Sequence, residues 1–395
     1  MSRLNVSNLF NENEDGAPVV SGISTFSSPH YFVPPSGSTA ERPQNPGEGM
    51  IRFNTDSGHL EYYSGELWVD VIVNNNEVGV STFANTISAK GTGTRGLTGG
   101  GYTTSKQNLI DYLTIQTLGN SHEFGELTER RYWIASLASS TRGVWGGGGV
   151  SPSSPNKTDT IDYVTIASTG DAIDFGNLVE ARYGMGGCSN STRGLFCGGY
   201  RHLPNQDIVN FIDYITIASS GVDAQDFGNL TVSRQYMAAT ASSVRGVFLS
   251  GRTGTGPFTY HNTIDYATIS TKGNAQNFGD LATTAASGMA AANSTRALYA
   301  GNESNTSDNS ITFITIATTG DAQDFGDLPY KVNMGSAVAS STRVVTCGGY
   351  LVPNNSVSDI MQHVTIATTG NALDFGDLSL ARYSTGSCSN GHGGL

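Results

Sequence analysis

Residues 161–178, IDYVTIASTGDAIDFGNL, decide the fold because the chain repeats them. Close copies begin at positions 110, 212, 264, 311 and 361, and each carries a Phe-Gly pair near its end. A turn arginine precedes every copy, and the six are Arg95, Arg142, Arg193, Arg245, Arg296 and Arg343. Repetition at a period of about 50 residues marks a repeat architecture. The copies are therefore one structural unit used six times.

The spacing inside the repeat separates a constant frame from one variable segment. Each of the first five repeated Phe residues is followed by the next turn arginine 18 residues later. The distance from the start of a copy to its Phe is 14 residues, with one extra residue in the third copy. The distance from the arginine to the start of the copy ranges from 15 to 19 residues. Length variation is thus predicted in one loop per repeat.

Each repeat is predicted to form four antiparallel strands. A run of small residues such as 135–139 comes first, and a second strand follows the arginine turn. The I-D-Y-x-T-I segment alternates with a period of two, which is typical of a half-buried strand. A Gly-Asn or Gly-Asp turn leads into the D-F-G-x-L strand. No apolar stripe recurs with the period of a helix, which excludes a helical repeat. Six units of four antiparallel strands predict an all-β, six-bladed β-propeller over residues 81–395.

The C-terminal residues indicate how the ring of repeats is closed. Residues 381–395, ARYSTGSCSNGHGGL, are similar to residues 181–195, ARYGMGGCSNSTRGL. They contain one more small-residue strand and then the beginning of another second strand. The segment before Arg95 fits the small-residue pattern poorly. We therefore expect the C-terminal strand to complete the first blade, which would leave no free sheet edge.

The repeats resemble the kelch family. Three features carry the likeness, namely Gly doublets, third-strand tyrosines and an arginine four residues after the fourth-strand leucine: Gly99-Gly100, Gly147-Gly148, Gly198-Gly199, Gly348-Gly349, Tyr112, Tyr163, Tyr214, Tyr266, Arg131, Arg182, Arg234 and Arg382. A Phe replaces the usual kelch Trp, and two doublets become Ser250-Gly251 and Ala300-Gly301. The resemblance implies a kelch-like propeller and leaves function open.

The N-terminal region is predicted to contain two further parts. Residues 1–45 mix Ser, Pro, Asn and Gly without periodicity, which is typical of an extended docking arm or linker. Residues 46–80 read as a small β-meander with turns at residues 56–58 and 64–65. A three-stranded sheet of this size is marginally stable alone, so we expect it to pack on the propeller or on a partner.

This meander resembles a short module of tail-fibre and other virion proteins of bacteriophages, notably marine phages of cyanobacteria. The likeness is carried by residues 49–56 (GMIRFNTD), 60–63 (LEYY) and 67–68 (LW). The IDYxTIxxTGNAxDFGxL repeat is also similar to kelch-like structural proteins of the same phages. Together the two resemblances imply a virion component made in the host cytoplasm. They leave its position on the particle open.

Composition excludes several classes of protein. The formal net charge is −12, from 33 acidic and 21 basic residues, so no basic stripe is available to bind nucleic acid. No apolar run reaches the roughly 18 residues that a membrane span needs. The first residues show no signal-peptide pattern. Four cysteines in 395 residues make no disulfide framework.

Catalytic and metal-binding residues are not predicted. The small-residue strands, which would line the axis, contain no His, Asp, Glu or Lys, and the seven histidines show no metal-ligand spacing. The sequence therefore predicts a protein that is not an enzyme and has no cofactor. A calcium site at Asp321, Asp324 and Asp327 remains open, although such acids also stabilise turns through backbone hydrogen bonds.

The turn arginines are predicted to form a structural ring of Arg–carboxylate contacts. The turns after the first and third strands lie at the same end of a four-stranded blade. This places four arginines beside four acids: Arg142, Arg193, Arg245, Arg343, Asp174, Asp226, Asp324 and Asp374. Arginine suits carboxylates because its planar fork donates two parallel hydrogen bonds. Anion binding by these arginines is the alternative function.

The opposite end of the blades carries the variable loops and is the predicted binding face. Loops on a rigid scaffold are common sites of recognition. Seven residues there suit a sugar or a protein surface: Tyr200, Arg201, His202, Phe258, Tyr260, His261 and Tyr350. Solvated loops that bind no ligand are the alternative.

These expectations favour a non-enzymatic phage tail or fibre protein that presents a propeller for attachment to a host surface. The arm would bind other virion proteins, the loops would bind a host glycan or protein, and a fibre would be a trimer. A capsid or tail decoration protein is the first alternative. A glycan-active enzyme is the second, and a deep axial pocket lined by carboxylates would favour it.

Overall fold

A computed structural model describes residues 34–57, 59–71, 95–150, 156–201, 207–254, 256–304, 308–352 and 354–395. The chain divides into two compact units, residues 1–81 and 82–395. The described residues form β-strands and one short 3₁₀ helix, Thr39–Glu41, so the predicted all-β class is confirmed. Within these ranges, no helix has the length and apolar character needed to cross a membrane.

The first unit contains a four-stranded sheet. Its strands are Ser36–Gly37, Ile51–Asn54, His59–Tyr63 and Trp68–Val71. The last three form an antiparallel meander, and the first pairs with the second in parallel. Residues 36–41, which the sequence placed in the arm, thus belong to this unit. Residues 1–33, which make up most of the expected arm, lie outside the described residues.

The two faces of this sheet differ sharply in polarity. On one face, Arg42, Arg52 and Asn54 surround the buried carboxylate of Glu61, and the hydrogen bond from Arg42 lowers the pKa of Glu61. On the other face, Ile51 is 54% exposed. One face of the sheet therefore holds a cluster of charged and polar groups around Glu61, while the other face carries apolar side chains at the surface.

The described residues of the second unit form six sheets of one design, which we number I to VI. Each has four strands in antiparallel order, from a small-residue first strand to an exposed fourth strand. Sheet I consists of Gly386–Ser389, Arg95–Gly99, Leu109–Thr114 and His122–Glu126. Sheet II consists of Ala135–Ala138, Arg142–Gly146, Thr160–Thr165 and Ile173–Asn177. Sheet III consists of Gly186–Ser189, Arg193–Cys197, Phe211–Thr216 and Gln225–Asn229.

Sheets IV to VI repeat this order, and sheets IV and VI have longer hairpins. Sheet IV consists of Ala238–Ala241, Arg245–Leu249, Thr259–Thr268 and Gln276–Ala285. Sheet V consists of Met289–Ala292, Arg296–Ala300, Ser310–Thr315 and Gln323–Asp327. Sheet VI consists of Ser336–Ala339, Arg343–Leu351, Ser356–Thr365 and Leu373–Asp377. Short extra strands are Arg252–Thr253 in sheet IV, Val332–Asn333 in sheet VI, and the separate pair Arg182–Tyr183 and Tyr200–Arg201.

The first strands contact one another in cyclic order. Each touches the first strand of the next sheet, and that of sheet VI touches that of sheet I. The first strand of sheet I comes from the C-terminal end and pairs with Arg95–Gly99. Apolar clusters lie between successive sheets, including one that joins Leu113 of sheet I to Val345 of sheet VI. The C-terminal strand thus links the last sheet to the first.

Backbone hydrogen bonds also join each fourth strand to the next sheet. The N–H of Gly170 donates to the carbonyl of Phe124 at 2.8 Å, and Gly119 donates to Phe375 at 2.8 Å across the junction of sheets VI and I. A Cβ atom on Gly125 would overlap the carbonyl oxygen of Gly170. This close approach explains why a glycine follows the repeated Phe.

The expected ring of turn-arginine carboxylate contacts is not formed, and the turn arginines bind backbone carbonyls instead. Arg142 Nη1 donates to the carbonyl of Ile217 in sheet III at 2.8 Å, while its guanidinium lies 4.5 Å from the ring centroid of Tyr163. The other turn arginines bind the next sheet in the same way, from Arg95 with Ile166 to Arg343 with Ile115.

The expected carboxylates lie beyond reach because a strand intervenes. Arg142 is on a second strand, Asp174 is on the exposed fourth strand, and the third strand separates them. Asp226, Asp324 and Asp374 occupy equivalent exposed positions. Each arginine thus satisfies carbonyl groups where a neighbouring strand ends, and its role is to join sheets.

A different set of arginines forms buried ion pairs. Arg131 Nη2 lies 2.5 Å from Asp162 Oδ2, and both side chains are fully buried. Its Nη1 also donates to the carbonyls of Gly147 and Thr160. The equivalent pairs are Arg182–Asp213, Arg234–Asp265 and Arg382–Asp111. These arginines attach the connection between two sheets to the second and third strands of the next sheet.

Two repeats have lost both members of this pair together. Ala285, before sheet V, and Val332, before sheet VI, occupy the position of the arginine. Thr312 in sheet V and Gln362 in sheet VI occupy the position of the aspartate. Removing one member alone would leave a buried charge without a partner. The paired loss is therefore what electrostatics requires.

We predict that Arg131→Ala lowers the free energy of unfolding by about 3–5 kcal/mol, because it leaves Asp162 buried without its cation. The double variant Arg131→Ala/Asp162→Thr reproduces the residues of sheet V and should recover most of this loss. Urea denaturation of the full chain, with unchanged m-values as the control for cooperativity, measures both. A double variant as unstable as the single one would contradict the interpretation.

Candidate functional site

Six residues that precede the first strands form a closed ring of backbone hydrogen bonds. All have a left-handed backbone, with φ from 53° to 66°, and they are Trp133, Gly184, Tyr236, Ser287, Met334 and Ser384. Each N–H donates to the carbonyl of the preceding member at 2.6–3.0 Å, and Trp133 closes the ring by donating to Ser384. We call these six residues the mouth ring, because their side chains surround one end of the first strands.

The mouth ring keeps side chains where glycine would be easier to accommodate. A left-handed backbone costs about 1–2 kcal/mol for an L-residue that has a Cβ atom. Gly184 avoids this cost, whereas bulky Trp133, Tyr236 and Met334 do not. Residues held in such conformations concentrate at functional sites. The ring is therefore a candidate site.

Aromatic rings extend from the mouth ring around much of this end of the unit. Neighbouring ring centroids lie 4.6–6.1 Å apart. The members of this aromatic arc are Tyr102, Tyr132, Trp133, Tyr183, Tyr200, Tyr236, Tyr350 and Tyr383. All are half-buried except Tyr236, which is buried. The arc thus presents partly accessible ring faces beside the mouth ring.

Two cations lie against rings of the arc. Lys157 Nζ lies 4.5 Å from the ring centroid of Tyr200 and 5.1 Å from that of Tyr183. Arg252 lies 4.6 Å from the centroid of Tyr236 and forms an ion pair with Glu303. Burial lowers the pKa of Lys157 and raises the pKa of Tyr183 and Tyr236. The phenols accordingly stay protonated at neutral pH.

Four tyrosines of the arc come one or two residues after an arginine of a buried ion pair. Arg131, Arg182 and Arg382 each directly precede a tyrosine of the arc, and Arg234 is two residues before Tyr236. The two connections that lack the arginine contribute Ser287 and Met334 to the mouth ring and no aromatic residue to the arc. The same segments therefore carry the anchoring arginine and the aromatic side chain.

The residues predicted for the binding face are only partly brought together. Tyr200 and Tyr350 are members of the arc. Arg201 is held by Asp207 and Glu180, and the hydrogen bond to Asp207 raises its pKa. His202 lies outside the described residues.

The remaining predicted residues lie on sheet IV. Tyr260 Oη donates to Glu303 at 3.5 Å, and His261 Nε2 lies 3.1 Å from Thr253 Oγ1. Phe258 is 43% exposed, with the guanidinium of Arg252 at 3.9 Å from its centroid. Sequence reasoning missed most of the arc, although the repeated Arg-Tyr at 131–132, 182–183 and 382–383 was a visible signal.

At the other end of the first strands, residues 390–395 cross the axis instead of starting a second strand. His392 Nε2 donates to the carbonyl of Ala138 at 3.0 Å, and the N–H of Gly393 donates to Ala292 at 2.8 Å. A Cβ atom on Gly394 would overlap the carbonyl oxygen of Ser189. The cavity between the first strands measures about 50 Å³, and His392 is part of its lining.

Acids and cysteines in the described ranges have structural positions. Asp321 Oδ1, one of the calcium candidates, accepts the N–H of Asp280 at 2.9 Å. Among the described side chains, no group of three or more His, Cys, Asp or Glu is placed to hold a metal ion. The cysteines are buried, and burial raises the pKa of Cys188, Cys347 and Cys388 to about 12. They are therefore poor nucleophiles.

Comparison with known proteins adds no functional assignment. No protein-family model and no curated protein matches the chain.

We predict that acid weakens the fold through His392. Burial lowers the pKa of His392, and its Nδ1 accepts the N–H of Gly394 at 3.0 Å, so the folded chain favours the neutral ring. The unfolded chain then binds the proton more readily, and stability falls as the pH drops below about 6.5.

Thermal melts between pH 7 and pH 5 measure this effect. His392→Gln should flatten the pH dependence relative to wild type, and His122→Gln, at an exposed position, is the matched control. The difference between variants is needed because burial also lowers the pKa of His261 and His363. Identical pH profiles for wild type and His392→Gln would contradict the prediction.

Proposed function

We propose that the second unit is a six-bladed kelch-like β-propeller that attaches a phage particle to its host surface. Six four-stranded sheets, the cyclic contacts of their first strands and the pairing of Gly386–Ser389 with Arg95–Gly99 support the propeller. The six first strands carry small side chains and contain no His, Asp, Glu or Lys, which favours a non-enzymatic role.

The aromatic arc is the observation that carries the attachment role. Aromatic side chains are enriched where proteins bind partners, because they bury large apolar area with little loss of rotamer freedom. Their faces also stack on the C–H faces of sugar rings. The arc lies at the end that carries the variable loops, and all of its rings except Tyr236 are partly exposed. This combination supports binding of a surface glycan.

The first unit supports a role as the link to the particle. Ile51, Phe53 and Tyr62 lie on one face of its sheet and are 54%, 37% and 38% exposed. An exposed apolar face of this kind suits contact with another virion chain. The same feature favours the alternative function, a decoration protein whose propeller stabilises a neighbouring chain of capsid or tail.

We predict that Tyr102→Ala/Tyr132→Ala reduces binding to host cells by about tenfold or more, because it removes two neighbouring faces of the arc. Binding of the labelled full chain to cells, and its competition with particle adsorption, measure the effect. Tyr330→Ala is the matched control, since this tyrosine is 52% exposed and lies outside the arc.

Two results would contradict attachment. One is unchanged binding of a double variant that melts like wild type. The other is a particle map in which the aromatic arc is covered by other virion chains, which would favour the decoration protein.

A further inference from the structure

We propose that His363 is an acid-sensitive switch that loosens the junction between sheets VI and I. This junction joins the last sheet of the chain to the first, whose own first strand is the C-terminal Gly386–Ser389. Such a switch would operate whether or not the protein attaches to a host surface. It is carried by one change of residue type in a contact that the other five sheets share.

The shared contact places each turn arginine against an aromatic ring of its own sheet. In sheets I to V the guanidinium lies 4.5–4.7 Å from the ring centroid, and the pairs are Arg95–Tyr112, Arg142–Tyr163, Arg193–Tyr214, Arg245–Tyr266 and Arg296–Phe313. In sheet VI the arginine is Arg343, and His363 occupies the position of the ring. A cation is attracted to an uncharged aromatic ring. Neutral imidazole therefore fits this contact, whereas protonated imidazole does not.

His363 lies in sheet VI as Tyr163 lies in sheet II. The ring centroids of His363 and Phe375 are 5.9 Å apart with the planes at 89°, and those of Tyr163 and Phe175 are 5.9 Å apart at 86°. His363 is directly opposite Val345 on the neighbouring strand, so the two side chains share a face. Val345 and Phe375 belong to the apolar cluster that reaches sheet I. The imidazole is therefore on the face that packs against sheet I.

Arg343 links the two sheets from this same face. Its Nη1 donates to the carbonyls of Ile115 at 2.9 Å and of Gln116 at 3.1 Å, both directly after the third strand of sheet I. The guanidinium is thus beside His363 and bound to sheet I at once. A positive charge on the imidazole would repel the guanidinium and weaken both hydrogen bonds.

The surroundings of His363 favour the uncharged ring. The residue is 9% exposed, and its Nδ1 is inaccessible to solvent and has no hydrogen-bond partner among the described residues. A neutral imidazole can leave one nitrogen without a proton, but the charged form carries an N–H on both. Protonation would therefore bury an unpaired donor. Burial, together with the nearby charge of Arg343, lowers the pKa of His363.

One charged group opposes this effect. Asp374 on the fourth strand favours the protonated ring, but it is exposed and lies opposite Gln362 rather than His363. From sheet I, the apolar side chains Leu113 and Ile115 pack at this face. A small cavity toward sheet V, which His363 also lines, is otherwise bounded by uncharged residues. The closed junction therefore favours neutral His363.

Acid should shift the junction toward its open form. When the junction opens, His363 meets water and its pKa returns toward the ordinary value of about 6.5. The open junction then binds a proton more readily than the closed one. Opening therefore becomes more favourable as the pH falls below about 6.5.

Hydrogen exchange of the full chain between pH 7 and pH 5, corrected for the intrinsic exchange rate, tests the proposal. The N–H groups of Gly119 and Ser121 report the junction of sheets VI and I, because they donate across it at 2.8 and 2.9 Å. Those of Gly221 and Ala224 report the junction of sheets II and III in the same way. We expect acid to lower protection about fivefold or more at the first junction, and much less at the second.

A reciprocal pair of variants locates the effect. His363→Tyr introduces the residue of sheets I to IV and should remove the acid sensitivity of the junction between sheets VI and I. Tyr163→His places a histidine beside Arg142 and should transfer the sensitivity to the junction between sheets II and III. Sheet II is the matched host, because Tyr163 lies opposite Ile173 as His363 lies opposite Leu373.

His392→Gln is the control, because it removes a buried histidine that acts at the axis. It should leave the difference between the two junctions in place. If His363→Tyr folds poorly, His363→Phe introduces the ring type of sheet V instead.

Three results would overturn the switch. One is equal protection of Gly119 and Ser121 at pH 7 and pH 5. Another is an equal loss of protection at both junctions of the wild-type chain. The third is an acid sensitivity that persists unchanged in a folded His363→Tyr or His363→Phe variant.

Discussion

Crowding of the first strands around one axis constrains the rest of the second unit. The strands touch in cyclic order, and a Cβ atom on Gly187 would overlap the carbonyl oxygen of Ser136 in the preceding sheet. Only small residues therefore fit along most of the axis, and His392 with its neighbours fills one end. Larger side chains that could contact a partner therefore lie at the other end, where the mouth ring is.

The repeated residues made much of the fold predictable. The alternating I-D-Y-x-T-I segment and the turn before D-F-G predicted four-stranded antiparallel sheets, and the described strands have this order. The similarity of residues 381–395 to 181–195 indicated a further small-residue strand, and Gly386–Ser389 pairs with Arg95–Gly99. Such inferences succeed because every copy has the same local environment and so requires the same residues.

The candidate site could not be predicted in the same way. The mouth ring uses Trp, Gly, Tyr, Ser, Met and Ser at equivalent positions, so no repeated residue marks it. A left-handed backbone usually indicates glycine, and only Gly184 has this signature. The turn arginines, in contrast, are marked by repetition, but repetition did not identify their partners. The sequence placed Arg142 beside Asp174, whereas the third strand lies between them.

The buried ion pairs connect the fold to the site. Four connections carry an arginine paired with an aspartate of the next sheet, and these four also supply Tyr132, Tyr183, Tyr236 and Tyr383 to the aromatic arc. The connections that contain Ala285 and Val332 have neither feature. A group that binds a partner is most effective when its backbone is fixed before the partner arrives. The arginine thus fixes the connection that carries an aromatic side chain of the arc, and the two connections without the arginine contribute no aromatic side chain to it.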